Sequence, residues 1–76
     1  MIQILFYKRL RSLLEETGMK QVFLAKKMNV TETAVSHWVN GARIPKVEDM
    51  ALIAEIFHTT TDYLIGLTDE RSRNGR

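Results

Sequence analysis

Apolar positions along this chain of 76 residues recur at helical spacing in five stretches. Phe6, Leu10, Leu13 and Leu14 share one face of a helix over 4–17, and Gly18 is suited to end it. Ile2, Ile4 and Phe6 also alternate, so a short edge strand or a frayed start is the other reading of the first residues. Leu24, Ala25 and Met28 stripe a second helix over Gln21–Met28. Asn29 follows it as a residue able to take the left-handed stop. Val30 then turns inward, and Thr31 caps a third helix over 32–40. Val47, Met50, Ala51, Ala54 and Phe57 mark a fourth over 47–57, with Pro45 ahead of it and Glu48 and Asp49 in its first turn. His58 and Thr59 break the pattern, Thr60 caps a short fifth helix over Thr61–Ile65, and Gly66 ends it. The fold class this predicts is all-α.

The stretch 21–41 stands out because two of these helices are joined by a tight turn, as in a helix-turn-helix. On a wheel of roughly 100° per residue, Ala34, Val35, Trp38 and Val39 fall on one side of the third helix, and Glu32, Thr33, Ser36, His37 and Asn40 fill an arc of about 140° on the other. The first set is core, Trp38 included. The second is a face of short or hydrogen-bonding side chains sized for a DNA major groove. Ala25 is small where two helices joined by a short turn must approach closely.

Composition narrows the function. A chain of this size makes one domain and buries only about 60–65% of its unfolded surface, so added stability from dimerisation is expected. There is no cysteine, hence no disulfide framework, thiolate metal site or thiol nucleophile, which suits a reducing cytoplasm. No apolar run approaches the roughly 20 residues of a membrane span, and MIQILFY has no basic segment before it to make a signal peptide. An enzyme is not expected: His37 and His58 are the neutral-pH bases, in separate elements, with no triad, metal-ligand or phosphate-loop spacing beside them. No catalytic residue, metal or cofactor is therefore assigned. Net charge is only +2, but it is polarised. Residues 1–46 carry eight Lys/Arg against three acids, and 47–70 carry six acids and no base. The polar face of the third helix lies in the basic half, where phosphate binding would place it.

Gln21, Leu24, Ala25, Val30, Val35, Trp38, Asn40, Gly41 and Pro45 stand in an order and spacing that resemble the phage-repressor and Cro-like (XRE-type) helix-turn-helix transcriptional regulators. The resemblance covers about 6–67. It implies a lambda-repressor-like five-helix DNA-binding domain over 1–67, followed by a basic tail over 68–76 without apolar periodicity, expected to be disordered. That tail is a linker to a further domain, a natural terminus or a weak phosphate-binding arm. By the same resemblance Gln21 bonds a DNA phosphate, Asn40 and the Gly41 N–H grip a second beside Arg43, and Glu32, Thr33 and His37 read bases with Ser36 adjacent.

Three departures from the family pattern are informative. Lys20 and Lys46 stand where Ser, Thr or Asp would cap the second and fourth helices; they either reach phosphates or are merely solvated. Leu14 and Val39 replace both ends of an arginine–glutamate pair that many relatives bury, a swap that removes two desolvation penalties. Val22 and Phe23 are apolar where relatives are more often polar, which suits packing against the first helix or a partner surface, with Met19 stapled onto Phe23. Leu52, Ile56, Tyr63, Ile65 and Leu67 either form a dimer patch or close the core. The function implied is a sequence-specific regulator, a repressor, binding a palindromic double-stranded DNA operator as a homodimer. The alternative is an antitoxin-like or other protein-partner module on the same fold, using Val22/Phe23 and Leu52/Ile56.

Overall fold

Local stop signals divide the chain. The computed structural model describes residues 2–71, with side chains from Leu5 onward. Among them run five helices and no strand: α1 (Ile2–Thr17), α2 (Gln21–Met28), α3 (Glu32–Val39), α4 (Val47–Ile56) and α5 (Thr61–Ile65). Asn29 ends α2 in the left-handed region (φ 59°, ψ 44°), and Gly66 ends α5 at φ 93°. The Thr31 hydroxyl accepts from Ala34 N–H at 3.1 Å, and the Thr60 hydroxyl from Tyr63 N–H at 3.0 Å, so α3 and α5 are capped as their sequences predict. α3 and α4 each stop one residue earlier than expected, with Asn40 and Phe57 as their caps. α1 begins at Ile2 rather than residue 4, and the edge-strand reading falls. Alternation over so few residues cannot resist the helix that continues from Leu5 and Phe6, which α1 needs to lie along α5.

α2 packs chiefly on α3, α1 on α5 and α3, and α4 on α5 and α2. Phe6, Leu10, Leu24, Val35, Ile53 and Leu64 are completely buried at the centre, with Trp38, Met28 and Met50 around them. The α4 stripe requires correction. Val47 is 82% exposed and Ala51 is exposed, whereas Ile53 is fully buried. The face used is Met50, Ile53, Ala54 and Phe57, at i, i+3, i+4 and i+7; Val47 sits in the first turn, beyond the reach of the core. Leu14 and Val39 are both buried, as a replaced ion pair requires.

Val22 and Phe23 do not bury themselves against α1. They stay 43% and 52% exposed beside a shallow groove shared with Met19, because the turn at 18–20 sends α2 onto α3 instead. Of the five candidate dimer positions, Tyr63 belongs to the core, and Leu52, Ile56 and Ile65 are half-buried against it. Leu67 alone of them is openly exposed, at 71%.

After α5 the chain folds back along α1. Arg9 stacks 4.2 Å from the Tyr63 ring centroid and donates to Tyr63 O, to Thr68 O at 2.7 Å and to Asp69 Oδ1 at 2.7 Å. Arg71 pairs with Glu16. Residues 68–71 of the expected tail therefore lie on the domain; 72–76 lie outside the described residues. No helix among the described residues is long and apolar enough to cross a membrane.

Candidate nucleic-acid interface

α3 presents the polar arc that its sequence predicts. Val35, Trp38 and Val39 are buried, Ala34 is half-buried, Glu32, Thr33 and Asn40 are exposed, and Ser36 and His37 are partly so. An eight-residue helix is about 12 Å long, which matches the width of a B-DNA major groove of about 12 Å.

The structure adds that α3 is a ridge between two open grooves, and that the predicted residues divide between them. One groove, about 900 Å³, joins α1, the start of α2 and one edge of α3; Lys20, Gln21, Glu32 and Asn40 line it. The other, about 520 Å³, joins the opposite edge of α3 to the start of α4; Thr33, His37, Arg43 and Lys46 line it. Ser36 lines neither. Its hydroxyl accepts from Asn40 Nδ2 at 3.4 Å, a long contact that orients the Asn40 amide.

Each groove ends at a helix N-terminus without a side-chain cap. Lys20 and Lys46 occupy the N-cap positions of α2 and α4 in extended conformation, and neither makes a cap hydrogen bond. The first backbone bond of α2 runs from Leu24 N–H to Lys20 O and that of α4 from Met50 N–H to Lys46 O. The preceding N–H groups of each helix have no intrahelical acceptor and carry the positive end of the helix dipole. Among the described N-caps, those of α3 and α5 are threonines that do make the bond. The pattern concentrates orphan donors and ammonium charge on either side of α3.

Gly41 has a second task. It sits at φ 79°, and a Cβ there would lie 2.9 Å from Tyr7 Cδ2, so only glycine lets the turn close over that ring. Its N–H already donates to Trp38 O at 3.4 Å, and the next two amides, of Ala42 and Arg43, both donate to His37 O. The amides of this turn thus serve first to end α3.

Sequence reasoning passed over one member of the first groove. Arg11, on α1, lines it with Lys20, Gln21 and Asn40. Its Nε donates to Val39 O at 3.1 Å, and its guanidinium lies 5.2 Å from the Tyr7 ring centroid. The spacing of α1 puts Arg9 and Arg11 on different sides of the helix, but only the bundle decides which side faces the groove.

The helix-turn-helix family profile matches residues 10–64. The chain belongs to this family, in its XRE-type branch. The fold is accordingly the lambda-repressor-like domain that the resemblance implied. The chain is 35% identical over 69 residues to the 26 kDa repressor protein of Escherichia phage HK022, covering 86% of this chain and 29% of that protein. It is 25% identical over 67 residues to the HTH-type transcriptional regulator ImmR of Bacillus subtilis (strain 168), covering 88% and 53%. It is 32% identical over 60 residues to the HTH-type transcriptional activator BcrR of Enterococcus faecalis, covering 79% and 29%. The chain thus spans between 29% and 53% of the length of these relatives. No solved structure matches it.

Proposed function

We propose that this chain is the sequence-reading domain of a transcriptional repressor, binding a palindromic double-stranded DNA operator as a homodimer. The observation that carries the reading is the all-polar α3 ridge flanked on both sides by uncapped, lysine-bearing helix N-termini. A duplex with α3 in its major groove would bring one strand's phosphates to Lys20, Gln21 and Asn40, and the other's to Arg43 and Lys46. Gly41 shapes the turn between these two sets. Base reading falls to Glu32, Thr33 and His37. The Glu32 carboxylate accepts from cytosine N4 and is repelled by base acceptors and phosphates, so it penalises wrong sequences. Thr33 bonds a base edge or touches a thymine methyl, and His37 donates to guanine N7 or O6. Ser36 sits between them, holding Asn40. The molecule measures 32 × 23 × 22 Å, compatible with two copies side by side whose α3 helices lie one helical turn, about 34 Å, apart. The exposed Leu67 is the first candidate for the contact between them.

The sign of regulation follows the phage HK022 relative, which is named a repressor; the Enterococcus faecalis relative is named an activator. Selection of bound duplexes from a random pool at fixed salt tests the reading. The expected result is an enriched palindrome with half-sites about one turn apart, and that site placed over a promoter should lower reporter output. Salt-sensitive binding without enrichment overturns it. That result would favour the protein-partner module, for which exposed Val22 and Phe23 are the suited surface.

A further inference from the structure

Arg9 and Arg11 are two residues apart on α1, so their side chains leave the helix about 200° apart. The guanidinium of Arg9 is committed to Tyr63 O, Thr68 O and Asp69, under a side chain only 16% exposed. Arg11 is exposed and uses a single donor, Nε, on Val39 O. A guanidinium has five N–H donors, and the four on the Nη atoms of Arg11 make no hydrogen bond within the described residues. Glu15 and Glu32 line the same groove, yet neither forms an ion pair with Arg11; the described ion pairs are Arg9–Asp69 and Arg71–Glu16.

The acceptor that Arg11 has chosen matters. Val39 O is the last carbonyl of α3, at the negative end of the helix that reads bases. The Tyr7 ring beneath the guanidinium also packs under Gly41, where the chain leaves α3. Arg11 therefore joins the C-terminal end of the reading helix to α1, with its forked end open to the groove that holds Gln21 and Asn40.

We propose that Arg11 binds a DNA phosphate in this groove through its Nη donors while its Nε holds Val39 O, so that one side chain ties the backbone grip to the seating of α3. The assignment rests on the DNA-binding reading above. The planar fork suits it: a guanidinium can offer Nε to one oxygen and Nη to another, whereas an ammonium is a single point of charge. Arg11 is thus both a phosphate contact and a positioning residue for base reading.

The test uses the duplex enriched by the selection and a mixed-sequence duplex of equal length, titrated over a range of salt. Arg11→Gln should reduce the magnitude of the salt slope of log K by about 0.9 for each half-site, the value for one phosphate, and so by about 1.8 for a homodimer on the palindrome. Arg11→Lys should restore the slope but leave the ratio of specific to mixed-sequence affinity several-fold below wild type, because an ammonium cannot hold both oxygens in fixed geometry. Arg9→Gln, whose guanidinium faces away, should leave the slope unchanged. In the wild-type chain the Arg11 Nη resonances should shift on adding duplex, a readout that does not require any variant to fold. An unchanged slope in Arg11→Gln, or unmoved Arg11 resonances in a saturated complex, overturns the phosphate contact. A wild-type ratio in Arg11→Lys overturns the positioning role. A wild-type chain that binds no duplex at low salt overturns instead the DNA-binding reading on which the assignment rests.

Discussion

Lys20 and Lys46 occupy positions where a hydroxyl or carboxylate would stabilise the following helix, and both helices start uncapped. Thr31 and Thr60, in the same chain, show the ordinary solution. Replacing a good cap typically costs about 0.5–2 kcal/mol, so each lysine leaves stability unrealised. If that stability is given up for phosphate binding, Lys20→Ser should raise the unfolding free energy by about 1 kcal/mol in a denaturant titration. The same variant should reduce the magnitude of the salt slope of duplex binding by about one for each bound protomer. More stability with an unchanged slope would mean that Lys20 is only solvated. At this scale the residue types were legible from the start. Which of two neighbouring arginines remains open to a ligand was not, because that depends on α5 and the segment after it meeting Arg9 and on the end of α3 meeting Arg11.

Among the elements, α1 and α3 pack on one another, and Leu14 and Val39, both lining the first groove, take the positions of the arginine–glutamate pair that the family resemblance implies. Both side chains here are apolar and at most 7% exposed. Leu14→Arg alone should cost about 3–5 kcal/mol, since it strands a charge against an apolar neighbour. Adding Val39→Glu should recover much of that loss, and the coupling would appear in a double-mutant cycle measured by thermal or urea unfolding. Additive losses would mean that the two positions do not face each other. Pairing of the departures was visible in the sequence, because each position belonged to a known pattern. The α4 face was not: its first turn is apolar too, and only the placement of α5 and α2 chooses Ile53 over Val47 and Ala51.

For the whole molecule, the basic half, 1–46, contains α3 and nearly all of the lining of both grooves, while the acidic half contains α4 and α5, with Asp49 of α4 at the edge of the second groove. A domain of this size has a small core and limited stability, so ligand binding should be conspicuous in its melting. At a duplex concentration of about one hundred times Kd, linkage adds about 2.7 kcal/mol to the folded state. For a domain of 60–100 residues this corresponds to a rise in Tm of at least about 10 °C, and it should shrink as salt is raised. A Tm indifferent to duplex at low salt would contradict binding to the folded domain.

Helix number, the turn between α2 and α3, the threonine caps and the polar arc of α3 were all determined by the sequence, because each depends on contacts within a few residues. Asn29 and Gly66 stop helices by their own backbone preferences, and the wheel of α3 needs no neighbour to divide core from solvent. The tertiary structure decided what depends on distant segments meeting. It buried Tyr63 and Ile53, left Val22 and Phe23 outside, and drew 68–71 onto α1 through Arg9. It also divided the candidate site residues between two grooves and turned Arg11 toward one of them. Periodicity specifies which face of a helix is apolar, but the direction of a long polar side chain is set by whichever carbonyl, ring or carboxylate the fold brings within its reach.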